Sequence, residues 1–146
     1  MKKIMIVLVL LAFAPAAFAQ KDLSSWAVFR GGIVPGKRMV KTEVRGGSLE
    51  AFRLDYYLGV TFLADEQTVR RVAEKVRADA GPDVPSETET VGDLLTYALV
   101  QPVSAGRKNR YLCYQARPAE GGWKVALLYL EGAATLDSLR SMFEKQ

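Results

Sequence analysis

Histidine is absent from this chain of 146 residues. Catalytic triads of the Ser-His-Asp and Cys-His kinds need an imidazole base, so composition alone excludes them, together with metal sites that use imidazole ligands. The only cysteine, Cys113, lies within an apolar segment, where a free thiol usually behaves as a small core side chain. We therefore predict a buried, inert thiol and no internal disulfide, with an intermolecular disulfide as the alternative.

One group of acids has the donor type of a calcium site. Glu87, Glu89 and Asp93 are close in sequence, and hard cations bind oxygen ligands. The Asp-x-Asp-x-Asp-Gly spacing of a calcium loop is missing, however. We predict a solvated loop over Asp83 to Thr90 and no metal site.

A second group of acids raises the question of glycoside hydrolysis. That reaction needs a pair of carboxylates, and Glu43, Glu50 and Asp55 could converge across one predicted hairpin. No pair has a diagnostic spacing, and the alternation of the strand favours exposed acids paired with Arg45 and Arg53. We predict no catalytic residue and no cofactor.

The most compact basic segment is the predicted turn Arg107-Lys108-Asn109-Arg110. Clustered cations attract anionic ligands and acidic proteins. Gly106 is not preceded by the glycine of a phosphate-binding loop, and no Ser or Thr follows Lys108. The predicted binding residues are therefore Arg107, Lys108 and Arg110, which would contact an anionic envelope ligand or an acidic partner.

Aromatic residues on the predicted strands offer a second binding surface. They could stack on sugars or pack against another protein, although aromatics at strand spacing are more often part of the core. The residues concerned are Tyr57, Tyr97, Tyr111 and Trp123. We expect any such surface on the sheet face that the helices leave free.

The N-terminal residues have the three parts of a secretory signal peptide. Lys2 and Lys3 precede an apolar run from Ile4 to Ala14, and Ala17-Phe18-Ala19 resembles a cleavage site. The run is too short to span a membrane core, which takes about 20 residues. We predict a signal peptide over 1–19 and a periplasmic or secreted protein without a transmembrane helix after cleavage.

The remaining residues, 20–146, suit a single domain. The net charge of +4 includes the two lysines of the predicted signal peptide, so the mature chain is close to balanced. A nucleic-acid partner is not expected from this charge.

The elements that would position these residues centre on a hairpin from Asn109 to Gly132. Two apolar and aromatic runs flank a five-residue connection that contains Pro118 and Gly121-Gly122. The second run, Trp123 to Leu130, is apolar on both alternating faces apart from Lys124. It therefore predicts a central strand.

The other segments complete an α+β domain. The sequence predicts three further strands (Arg38 to Arg45, Ala51 to Phe62 and Leu94 to Val103) and three helices that begin at Asp22, Asp65 and Thr135. A short helix is the alternative for Leu94 to Val103. We predict a five-stranded antiparallel sheet with two to three helices packed mainly on one face.

Several segments resemble a known group of proteins. They are Lys108-Asn109-Arg110-Tyr111, the run Leu127-Leu128-Tyr129-Leu130-Glu131-Gly132, the strand from Ala51 to Phe62 and the leucine-bearing last helix. Together they are similar to small exported proteins of unknown function from Bacteroidales-type bacteria. The resemblance implies export and a compact α+β fold, and it brings no catalytic residues.

The functional expectation rests on two observations. The core is well patterned, and the sequence shows no nucleophile paired with a general base. We expect a non-enzymatic binding or structural module of the cell envelope, whose partner is an envelope protein or an anionic envelope ligand. The alternative is a histidine-free hydrolase or lyase that acts on envelope glycan through carboxylates. A homodimer joined through a sheet edge is a further possibility.

We predict that export removes residues 1–19. Intact-mass spectrometry of the exported protein should give a chain that begins at Gln20, because the small residues Ala17 and Ala19 occupy the positions that signal peptidase requires. A mature chain that still begins at Met1 would contradict the prediction.

Overall fold

The structure is a computed structural model that describes residues 22–103 and 108–144. The strands are β1 Met39–Arg45, β2 Leu54–Ala64, β3 Ser86–Val91, β4 Leu94–Val100, β5 Asn109–Ala119 and β6 Gly122–Gly132. The helices are α1 Trp26–Phe29, α2 Glu66–Asp79 and α3 Leu136–Glu144, and short 3-10 turns cover Gly36–Arg38 and Gly47–Phe52. The predicted signal peptide lies outside the described residues. The α+β class is confirmed.

The strands form one antiparallel sheet in the order β1-β2-β6-β5-β4-β3. β6 pairs with β2 on one side and with β5 on the other, as Trp123 to Leu130 predicted for a central strand. The connection between β5 and β6 is shorter than expected, because Pro118 is still paired with Trp123 and only Glu120 and Gly121 lie between the paired ends. Gly121 has φ +83°, a conformation that suits glycine in a tight turn.

The sheet has six strands, so the prediction of five was wrong. The missed strand, β3, lies in the segment expected to be a solvated loop. It pairs with β4 at the sheet edge, and all but one of its side chains are exposed. An edge strand without a buried side lacks the apolar alternation by which strands are recognised.

Both longer helices begin at the predicted caps. The Asp65 carboxylate accepts a hydrogen bond of 2.8 Å from the Thr68 amide at the start of α2. Thr135 plays the same part for α3, since its hydroxyl oxygen accepts from the Ser138 amide at 3.2 Å. The first helix is shorter than predicted, and no side-chain cap hydrogen bond is present at its start.

The helices lie on both faces of the sheet. α1 and α2 pack on the face that carries Leu58, Val60 and Leu127, which we call the α2 face. Leu139 of α3 packs on the opposite face with Tyr111 and Leu130, which we call the α3 face. The expectation that helices would lie mainly on one face therefore has to be corrected for α3. None of the helices in the described ranges is long and apolar enough to cross a membrane.

Hydrogen exchange should follow this strand order. We expect the amides of β6 to be among the slowest to exchange, since this strand has a partner on each side and a core on each face. The amides of the edge strand β3 serve as the internal reference and should exchange much faster. Rapid exchange of Val125 or Leu127 would remove β6 from the stable centre.

Candidate functional site

The α3 face is covered at one end and open at the other. Residues paired across neighbouring strands form successive rows on this face. The row of Leu130 and Tyr111 is buried beside α3, with exposed fractions of 2% and 0%. Two rows further along, Val40 is 69% exposed, and in the next row Leu63 is 53% exposed. α3 thus closes one half of the face, and the other half contacts solvent.

A pocket of about 270 Å³ lies at the boundary between these two halves. It is lined by tyrosines from β2 and β4, by three small or apolar residues and by three polar ones. These are Tyr57 and Tyr97, then Cys113, Ala126 and Leu128, then Thr61, Gln115 and Arg117, and Tyr114 of β5 completes the lining. We call it the tyrosine pocket. Its size suits one ring or one large side chain of a ligand, since pockets for whole drug-sized molecules begin near 300 Å³.

Gly59 is what allows Tyr57 to lie along the sheet. A Cβ atom at residue 59 would be 3.0 Å from the Tyr57 hydroxyl oxygen and 2.9 Å from Cδ2 of Leu128. Both distances are too short for ordinary contacts, so the tyrosine ring occupies space that a side chain would otherwise take. Burial and the nearby Cys113 raise the pKa of Tyr57. The phenol therefore stays protonated at neutral pH and can donate a hydrogen bond.

Two cations lie at the open end of the pocket. Arg117 and Lys124 face each other directly across β5 and β6, and both are exposed. Within the described part of the chain, neither has an ion-pair partner. Like charges at directly opposed positions repel each other. A third cation, Arg38, lines a neighbouring surface depression with Lys124 and Leu63. Hydrogen bonds from Thr68 first, and then the charge of Arg38, lower the pKa of the Asp65 carboxyl.

Cys113 lies in the tyrosine pocket but is only 7% exposed. Burial raises the pKa of its thiol. The thiolate is the nucleophilic form, so this environment makes Cys113 unreactive at neutral pH. The prediction of a buried thiol is confirmed.

The acids that raised the questions of metal binding and hydrolysis are dispersed. Glu87 pairs with Arg140 of α3, while Asp93 pairs with Arg70 of α2 at 3.1 Å. Among the residues with described positions, no group of three or more Cys, Asp and Glu is arranged to hold a metal ion.

The acids of the first hairpin also have separate partners. Glu43 accepts a hydrogen bond of 2.6 Å from the Tyr56 hydroxyl, and Asp55 pairs with Lys108 at 3.2 Å. Asp and Glu are both missing from the lining of the tyrosine pocket. The geometry thus gives the carboxylate-hydrolase alternative no pair of acids facing a ligand-sized space.

The predicted basic turn is only partly described. Arg107 lies outside the described residues, and Lys108 is exposed beside Asp55. Arg110 points inward and is 3% exposed, with its guanidinium bonded to the Asp22 carboxylate at 2.8 and 3.2 Å. Burial acts to lower the pKa of Arg110, but hydrogen bonding to Asp22 and its charged surroundings raise it overall. Ligand binding by this turn stays a prediction, which now depends on Arg107 and Lys108.

Arg110 is part of a buried polar cluster on the α2 face. It is paired across the strands with Glu131, whose carboxylate accepts a hydrogen bond of 2.6 Å from the Tyr129 hydroxyl. Burial first, and then this hydrogen bond, raise the pKa of Tyr129. The ring of Tyr129 meets that of Tyr56 edge to face, with centroids 6.1 Å apart. This cluster closes the end of the sheet opposite the tyrosine pocket.

Sequence reasoning named Tyr57 and Tyr97 but missed the other polar residues of the pocket and the lysine beside it, which are Thr61, Tyr114, Gln115, Arg117 and Lys124. Their signal was present in the strand alternation. Arg53, Asp55, Tyr57 and Thr61 read as the polar side of one strand, and Gln115 and Arg117 follow Cys113 at alternate positions in the next. Which polar sides coincide depends on the strand order, and that order was not available from the sequence.

We predict that Cys113 of the native protein reacts slowly with a thiol-specific chromogenic disulfide, and that raising the pH from 7 to 9 changes this little. An ordinary thiol ionises near pH 8.5, whereas burial raises the pKa of Cys113. The unfolded chain, labelled in denaturant, is the control and should react quickly.

The raised pKa of Cys113 also predicts how the stability of the protein changes with pH. The folded thiol holds its proton while the unfolded thiol loses it, so the free energy of unfolding should decline above about pH 8.5. Cys113→Ala should reduce that decline. Rapid labelling of the native protein would contradict the burial of Cys113.

Comparison with known proteins agrees with the resemblance in one respect, that the matching family has no known function. No curated protein and no solved structure matches the chain. One protein family matches it over residues 12–143, which includes every strand and almost the whole of α3. The chain belongs to the family of unknown function DUF6108.

Proposed function

We propose that this protein is an exported, non-enzymatic binding module whose docking site is the open half of the α3 face. The observation that carries the proposal is the tyrosine pocket with exposed apolar residues beside it. Val40 and Leu63 are 69% and 53% exposed, and they line a neighbouring depression that shares Thr61 with the tyrosine pocket. Contiguous exposed apolar surface is unfavourable in water unless a partner covers it.

The composition of this surface favours a protein as the partner. Tyrosine and arginine are enriched at the energetic centres of protein interfaces, and both are present here at Tyr57, Tyr97 and Arg117. Sugar sites usually add several side-chain hydrogen-bonding groups, whereas the neutral polar side chains here, besides the tyrosines, are Thr61 and Gln115. Apolar contacts are therefore the main interactions that this surface offers to a ligand.

Two features argue for binding instead of catalysis. The thiol in the pocket is held protonated by burial, and the pocket lining contains no carboxylate. The N-terminal pattern with Ala17-Phe18-Ala19 supports an extracytoplasmic location in which an envelope or secreted protein would be the partner.

Site-specific photo-crosslinking tests the proposal. A photoreactive phenylalanine analogue replaces Gln115, which is exposed at the pocket, and the protein is irradiated in its native host. We expect discrete adducts with another protein. The matched control carries the same analogue at Lys75, an exposed position on α2. Equal adducts from both positions, or none from residue 115, would refute the docking site.

A second variant separates loss of the surface from loss of the fold. Ala126→Phe should fill the pocket while it keeps the apolar character of β6, and should abolish the adducts from residue 115. Phe52→Ala removes an aromatic side chain that is 49% exposed outside the pocket, and should leave the adducts unchanged. Thermal melts of both variants show whether they are folded.

A further inference from the structure

We propose that the docking site binds an acidic, extended segment of its protein partner, with one apolar side chain in the tyrosine pocket and an Asp or Glu two residues away on the cationic pair. The cationic pair consists of Arg117 and Lys124. This inference rests on the proposed function and adds the chemistry of the partner.

Charge is the first reason. Arg117 and Lys124 are directly opposed on β5 and β6, and no acid pairs with either of them among the residues that the structure describes. Their mutual repulsion is relieved when an anion lies between them. Arg38 adds a third positive charge at the same end of the face, because it lines a depression with Lys124.

Several other arginines in the described part of the chain are bonded to acids. Arg70 is bonded to Asp93, Arg110 to Asp22, and Arg140 to Glu87. Those cations already have acidic partners within the protein. Arg117 and Lys124 differ from them, since they are directly opposed on the α3 face and no acid is bonded to either in the described structure, so both can bind an external carboxylate.

Spacing is the second reason. Gln115 lines the pocket and is exposed, and Arg117 is two residues further along the same strand on the same face. Alternate residues of a strand are about 7 Å apart. An extended peptide lying along β5 repeats its same-side residues at the same interval. An apolar residue in the pocket thus places the second residue after it, or before it, over the cationic pair.

Shape is the third reason. The pocket of about 270 Å³ accepts one large side chain, and next to it lies a more open depression whose lining includes Val40, Leu63 and Lys124. A partly apolar sheet face on which the tyrosine pocket is a side-chain-sized depression suits a short extended segment. An anionic membrane would use the same cations but would leave the depression empty.

The test is a titration of the ¹⁵N-labelled protein with three synthetic peptides, followed by amide chemical shifts. The peptides carry Phe-Ser-Glu, Phe-Ser-Gln or Ala-Ser-Glu in an otherwise identical Gly/Ser sequence. We expect Phe-Ser-Glu to shift the amides of Thr61, Gln115 and Lys124, and to bind about three- to tenfold more tightly than Phe-Ser-Gln at low salt. The alanine peptide should bind more weakly than either.

Variants of the protein test whether the Glu side chain of the peptide binds to the cationic pair. R117Q/K124Q should make the Phe-Ser-Glu and Phe-Ser-Gln peptides bind equally. R71Q/K75Q removes two charges from exposed positions of α2 and should leave the preference for the acid unchanged. High salt should reduce the preference, because exposed charge pairs are screened.

Each other outcome overturns the inference. Equal affinities for the Glu and Gln peptides would refute the acidic partner. The apolar pocket, and with it the proposed function, would remain. No peptide-induced shift at Thr61 or Gln115 would reject the extended segment, while photo-crosslinking from residue 115 separately decides the docking site. Sedimentation with phosphatidylglycerol vesicles that is lost in R117Q/K124Q would assign the cations to a membrane surface instead.

Discussion

The pairing of β6 with both β2 and β5 is the constraint on which the rest of the structure depends. Along this strand Val125 and Leu127 face α2, while Leu128 and Leu130 face the opposite side of the sheet. A slip of one residue would exchange the two sets of side chains. The register of β6 therefore fixes both cores at once, and it also fixes which tyrosines, cations and polar groups share a surface.

The two ends of β6 have different chemical surroundings. At its C-terminal end the polar groups are buried and bonded to one another, with Arg110 held by Asp22 and Glu131 by Tyr129. A buried cation without a partner is costly, so this arrangement depends on Asp22 staying in place. At its N-terminal end Lys124 is exposed and has no acidic neighbour bonded to it in the described structure. One end serves stability, and the other is available for binding.

The sequence alone predicted the elements with strong periodicity. The stripe of Val69, Val72 and Val76 defined α2, and the apolar run of β6 predicted its central place. β3 was missed because Glu87 and Glu89 alternate with threonines and almost nothing on that strand is buried. The turn Gly92-Asp93 was the available signal, since such a pair often joins two strands.

The candidate site was harder to predict for a physical reason. Arg110 was assigned to an exposed turn, although it occupies the same alternating side as Leu112 and Tyr114, which are buried. Its partner Asp22 is 88 residues away in the chain, and sequence patterns cannot reveal such a pair. The tyrosine pocket likewise combines residues from four strands, so it exists only once the strand order is known.

The position of β6 in the sheet also affects the order in which the chain can fold. β1 and β2 form one local hairpin, and β3 to β6 form a meander of neighbours in sequence. Only the pairing of β2 with β6 joins these two halves. Contacts between distant parts of a chain form slowly. A nascent chain therefore cannot complete its sheet until its last strand, β6, has been made.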